Sequence, residues 1–180
     1  TGKENTATGY RSLLFNTTGY QNTANGNNAL YRNTTGYENT ANGFQALYAT
    51  TIGGDNNAIG FRALYNNTIG SNNTAIGSEA LYGNITGENN TALGSDANVS
   101  AGNLDNATAV GAGAIANASN RVVIGNRSVA VIGGYVNWTN LSDARFKKNI
   151  QKDVHGLDFI MQLKPVTYNL DIQKLNSFLG

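Results

Sequence analysis

From residue 5 to residue 111 the polar and apolar positions of this chain recur at an interval of 17 residues. Aligned on that interval, one column reads Ser12, Ala29, Ala46, Ala63, Ala80, Ala97, Ala114. Its neighbour reads Leu13, Leu30, Leu47, Leu64, Leu81, is broken by Asn98 and resumes at Ile115. The next is Leu14, Tyr31, Tyr48, Tyr65, Tyr82. A glycine column (Gly9, Gly26, Gly43, Gly60, Gly77, Gly94, Gly111) follows an alanine column by two positions, and a second (Gly19, Gly36, Gly53, Gly70, Gly87) lies ten residues further on. No 3.6-residue periodicity survives this glycine spacing, so helix is not expected. Two glycines per unit predict two tight turns, at positions that need positive φ or close backbone approach. Between them, Asn73-Thr74-Ala75-Ile76-Gly77 and Asn28-Ala29-Leu30-Tyr31 are of strand length. The predicted fold is mainly β: a parallel β-roll or solenoid, each coil burying its apolar face on the next, with strands about 4.8 Å apart. The column Asn5, Asn22, Asn39, Asn56, Asn73, Asn90 is then expected to form an amide ladder.

The pattern drifts along the chain. The residue before the first glycine is polar early (Thr8, Asn25, Asn42) and apolar later (Ile59, Ile76, Leu93, Val110). After Gly111 the interval shortens to 14 at Gly125, through Val122-Val123-Ile124, and then to 8 at Gly133, through Val129-Ala130-Val131-Ile132. A thin coil cannot hide such a face alone, which implies that copies clasp together there.

Composition changes near Gly134. Residues 1–134 hold 20 of the 22 glycines and carry net charge −1; residues 135–180 carry +2. The expected organisation is a repetitive region 1–134, a neck 135–141 and a mixed segment 142–180. In that segment Leu157, Ile160 and Met161 form one side of a helix ended by Pro165, and Val166, Tyr168 and Leu170 alternate as a strand, a small α+β unit. With 13% charged residues and a formal net charge of +1, no footprint for nucleic acid or an anionic membrane stands out. No 18-residue apolar run and no signal-peptide pattern occur, so no membrane insertion is expected. Thr1 enters almost in mid-repeat, so the chain reads as part of a longer one. The absence of cysteine excludes disulfides and thiolate metal sites. No phosphate loop, zinc spacing or carboxylate dyad appears, and neither cofactor nor metal is expected.

The repeats, Asn73-Thr74-Ala75-Ile76-Gly77 and Val131-Ile132-Gly133 above all, resemble the heads of trimeric autotransporter adhesins and related phage tail fibres. That resemblance implies a trimeric parallel β-roll. The usual spacing of those repeats is close to this chain's late 14-residue step, which places three extra residues of each 17-residue unit in the Tyr-x-Asn-Thr-Thr-Gly turn. The string Ser142-Asp143-Ala144-Arg145-Phe146-Lys147-Lys148-Asn149-Ile150 resembles the start of the intramolecular chaperone that ends endosialidases and many tail fibres. The resemblance implies Ser142 as nucleophile, Lys147 as its base, and a cut between Leu141 and Ser142. A lysine deprotonates serine only if burial or a cationic neighbour lowers its pKa; Arg145 and Lys148 are the nearby cations. Read without the resemblance, the serine is a helix cap or turn beside a solvated basic face. About 39 residues run from Ser142 onwards, fewer than the family's domain, so cleavage by this chain alone is expected to be weak or absent.

Together these readings imply an extracellular homotrimeric fibre segment, from a phage tail fibre, a contractile-injection-system fibre or a bacterial surface adhesin, with a cell-surface glycan or protein as receptor. Two rivals remain: an ice-binding solenoid, prompted by the threonines, and a piece of a fibre-borne glycan-degrading enzyme. Among weaker signals, His155 has no ligand spacing around it, Trp138 reads as a packing anchor, and Gly53-Gly54-Asp55 lacks the recurrence of a calcium-binding roll. The Tyr ladder reads as structural rather than sugar-stacking. The sequons at Asn16, Asn33 and Asn84 arise from the repeat and matter only in a eukaryotic secretory host.

Overall fold

The computed structural model describes residues 2–134. The first compact unit, Thr1–Ile132, is a parallel β-solenoid of about seven turns, with no helix among the described residues. One strand per coil builds its main wall: β1 (Thr6–Thr8), β2 (Thr23–Asn25), β3 (Thr40–Asn42), β4 (Asn57–Ile59), β5 (Thr74–Ile76) and β6 (Thr91–Leu93). Then β7 (Asn98–Val99) and β9 (Ile115–Ala116) pair in a small sheet of their own, while β8 (Thr108–Val110) and β10 (Val122–Ile124) extend the wall to eight strands. Every pairing is parallel; Ala58 stands against Ala75, and Ala75 against Ala92.

The shortened coil shows where the extra residues sit. Val99 still pairs with Ala116, but the Asp105 N–H donates to the Ser119 hydroxyl and Asn106 pairs with Asn120, an offset of 14. The loss therefore falls between Ala116 and Ser119, the counterpart of the Tyr-x-Asn-Thr-Thr-Gly turn. The following eight-residue interval is too short for a coil, and Val129–Ile132 forms no strand.

The core is narrow. From Ala24 and Ala29 onward both alanine columns are buried, as are Leu30, Leu47, Leu64 and Leu81. Asn28–Tyr31, expected as a strand, is a turn: Asn28 and Leu30 sit at φ 56° and 49°. The same left-handed geometry recurs at Leu47, Leu64 and Leu81. For a non-glycine residue it costs about 1–2 kcal/mol, whereas burying a leucine contributes about 1.5–3 kcal/mol. Burial and the cross-coil bonds at these sites, such as Leu30 N–H to the Ala46 carbonyl at 3.0 Å, hold the strained conformation.

The glycine columns differ in role. Those of the first, such as Gly60 at φ +140°, take the left-handed region and also lie against the next coil. The second takes no positive φ; at Gly70 a Cβ would strike the Gly87 carbonyl and the Asn67 amide.

Candidate functional site

The predicted catalytic pair, Ser142 and Lys147, lies outside the described residues, as do the Leu141–Ser142 bond, the neck, Trp138, His155 and the α+β segment. What the structure builds in detail is the ladder system of the solenoid and the surfaces it leaves open.

The expected asparagine ladder runs through the interior. From Asn5 to Asn56 each Asn Oδ1 accepts from both the backbone N–H and the Nδ2 of the next: Asn39 on Asn22 at 3.0 and 3.1 Å, Asn56 on Asn39 at 3.0 and 3.0 Å, Asn73 on Asn56 at 3.1 and 3.1 Å. Asn73 Oδ1 accepts only from the Asn90 N–H. From Asn5 to Asn73 each Nδ2 also donates to a second-column glycine carbonyl, as Asn56 does to Gly70 at 2.9 Å, while Asn90 donates to Asn84 Oδ1 and the Leu104 carbonyl. The ladder ends on the Ala107 N–H, which donates to Asn90. All four donor and acceptor valences that matter are filled, so burying these amides is not penalised.

A second buried polar column, Asn33, Thr50, Asn67 and Asn84, has no counterpart in the sequence reading, which treated Asn33 and Asn84 as sequons. Asn84 Nδ2 donates to Asn67 Oδ1 at 3.0 Å and to the Gly87 carbonyl at 3.0 Å. Fully buried and bonded in this way, Asn33 and Asn84 present no side chain for glycosylation in the folded state. The signal was in the sequence: an asparagine stands three residues before every second-column glycine except Gly53, where Thr50 takes its place.

The aromatic side chains stack ring on ring along the solenoid. Tyr31, Tyr48, Tyr65 and Tyr82 follow one another at centroid distances of 5.1, 5.1 and 5.4 Å, and Tyr20–Tyr37 and Phe44–Phe61 at 5.3 and 5.5 Å. Ring faces cover one another, leaving edges outward, a packing ladder rather than a platform for sugars. Tyr37 continues its stack over Gly54, where a Cβ would lie 2.6 Å from the ring. That accounts for the Gly53-Gly54 pair. The turn threonines are likewise occupied: Thr17, Thr34, Thr51 and Thr68 each donate a hydroxyl to the carbonyl one coil on, at 2.8–3.1 Å.

One electrostatic feature stands out on the surface. Glu38 and Asp55 stack on adjacent coils, and the hydrogen bond and like charge of Asp55 raise the Glu38 carboxyl above its ordinary value. Two coils earlier the same column holds a favourable pair, Gln21 Nε2 donating to Glu4 at 2.9 Å. No three His, Asp or Glu side chains gather among the described residues. A cavity of about 660 Å³ at the last coils, lined by Ile115, Asn117, Val123 and Arg127 among others, holds neither carboxylate nor histidine. Among the described residues no helix is long and apolar enough to cross a membrane.

The described residues thus define a ladder-stabilised parallel β-solenoid repeat protein. Beyond it, residues 142–176 match the family described as chaperone of endosialidase. No curated protein and no solved structure matches the chain. The likeness of the solenoid to adhesin heads therefore rests on its residues.

Proposed function

We propose that this chain is a homotrimeric fibre segment, adhesive or structural, carried outside the cell by a phage tail fibre, an injection-system fibre or a bacterial surface adhesin, and assembled by the chaperone-type segment that follows it. The observation that carries this reading is the juxtaposition of a long repetitive solenoid with a match to an endosialidase chaperone beginning at Ser142. A stack of identical coils is open to slipped pairings, since each coil fits any other. A chaperone that sets three chains in one register before the coils close removes that ambiguity.

In this reading residues 1–134 are the shaft, 135–141 the neck and 142–180 the chaperone segment. Ser142 Oγ attacks the Leu141 carbonyl carbon, Lys147 takes the hydroxyl proton, the Leu141–Ser142 amide breaks with its nitrogen protonated, and water hydrolyses the resulting ester. Release after assembly leaves a shaft whose persistence is kinetic. A glycan or protein on a cell surface is the receptor. Face-covered tyrosine rings speak against the sugar-platform reading of that ladder.

The test is intact mass and native oligomer size for the longest natural polypeptide carrying this chain, beside its Ser142→Ala variant. The expected result is a cut between Leu141 and Ser142 that the variant abolishes, with trimers in both. A cut that survives in Ser142→Ala, or a monomeric shaft, refutes the proposal.

A further inference from the structure

The geometry points to the outward face of the eight-stranded wall as the surface on which a second copy of this chain docks, parallel and in register; this deepens the homotrimer reading and rests on it. In the wall strands between the two ends, β2–β6 and β8, the central residue turns inward and its two neighbours outward, so Ala75 is buried while Thr74 and Ile76 face out. The column that contains Ile76 is polar in β1–β3, at Thr8, Asn25 and Asn42, and apolar from β4 onward. There Ile59, Ile76, Leu93 and Ile124 remain 38–43% exposed. With Val122 beside them and Phe44 and Phe61 past the glycine corner, the apolar side chains expose roughly 600 Å², the size at which a patch marks an interaction site. A stable interface takes about 800 Å² from each partner, and the outward threonine column adjoining the strip supplies the difference.

Two observations select the occupant. Neither outward column holds a charged residue in any of the eight strands, so a phosphate backbone or an anionic membrane finds no partner there. The face also has a polarity along its length. An antiparallel neighbour would set the Asn25 and Asn42 amides against the apolar half and leave them unbonded. A parallel neighbour in register lays the apolar half on its equal and Asn25 and Asn42 against their own counterparts. A second copy of this chain reproduces both the coil spacing and the gradient.

The experiment is native mass and light scattering of the full chain, with Ile76→Asn/Leu93→Asn as the face variant and Ile69→Asn, an exposed turn position off the wall, as control. Asparagine already occupies the outward column at Asn25 and Asn42, so the solenoid accommodates it; circular dichroism verifies folding. The face variant is expected to associate at least 10-fold more weakly, and the control as wild type. A monomeric wild type sinks the homotrimer reading together with this inference; a wild-type oligomer that the face variant leaves intact sinks the face alone. Asn25→Cys and Leu93→Cys chains, mixed before assembly in this cysteine-free background, are expected to cross-link 25 to 25 and 93 to 93 on oxidation; 25-to-93 products overturn the parallel order.

Discussion

Thr50 is a defect in the second polar ladder, and repairing it tests the account of the core. Elsewhere in that column an asparagine donates through Nδ2 to the preceding Oδ1 and to the glycine carbonyl three residues on: Asn33 to Asn16 at 2.8 Å and to Gly36 at 3.0 Å, Asn84 to Asn67 and Gly87 at 3.0 Å each. Thr50 instead donates its hydroxyl to the Asn67 carbonyl at 3.1 Å. Asn33 Oδ1 is left buried with no partner. Thr50→Asn, close in volume, puts an Nδ2 opposite Asn33 Oδ1 and an Oδ1 opposite Asn67 Nδ2, and loses the hydroxyl bond. Satisfying a buried orphan is worth about 1–3 kcal/mol and each net bond about 1 kcal/mol. The gain and the loss of ordinary bonds roughly cancel, so the variant is expected to be more stable by about 1–3 kcal/mol. For a unit of this size 1 kcal/mol moves Tm by about 3–6 °C. Far-UV circular dichroism melts at fixed chain concentration and scan rate therefore should show Tm up by about 5–15 °C. Thr50→Val, which removes the hydroxyl and leaves the orphan, should lose about 1 kcal/mol. A Thr50→Asn chain that melts at or below the wild-type temperature refutes the ladder argument.

Three further outcomes are expected. Gly60→Ala forces a Cβ into the Gly77 carbonyl at a left-handed φ and should destabilise by about 3 kcal/mol or more, whereas Gly133→Ala, with nothing within 4 Å, should stay within about 0.5 kcal/mol in the same melts. Asn56→Ala strips the acceptor from the Asn73 N–H and Nδ2 and the donor from the Gly70 carbonyl; denaturant titration should show a loss of about 2–4 kcal/mol. Glu38→Gln should raise Tm at neutral pH. The raised folded-state pKa means the folded chain binds more protons than the unfolded one, so stability falls as pH rises from the ordinary carboxylate range through the Glu38 value. The variant's advantage should therefore vanish in acid, and an equal advantage at pH 3 and pH 7 would remove the Glu38–Asp55 repulsion as its cause.

The interval of 17, the strand at Thr74–Ile76, the Asn22–Asn90 ladder and the location of the three residues lost after Ala116 were all legible in the residues. Asn28–Tyr31 was not. Its residue types suit a strand, but a strand would send the adjacent Ala29 and Leu30 to opposite faces, whereas the left-handed turn buries both. The inward turn of Asn33 and Asn84 was not legible either: the sequons arise from the repeat, and nothing local says that this loop folds its asparagine into the core. Ser142 and Lys147 rest on a family match, and their geometry lies outside the described residues.

The sequence alone determined that like residues stack on like. Once a chain coils with its own repeat length, any column of identical side chains becomes a ladder, whatever the cross-section. Tertiary structure decided the cross-section itself. Whether a residue points into the core or out of it depends on the φ and ψ of each corner, and those are held by hydrogen bonds to the coils above and below, such as Leu47 N–H to the Ala63 carbonyl at 3.0 Å. Local preference argues against leucine in a left-handed turn, and burial between two neighbouring coils outweighs it.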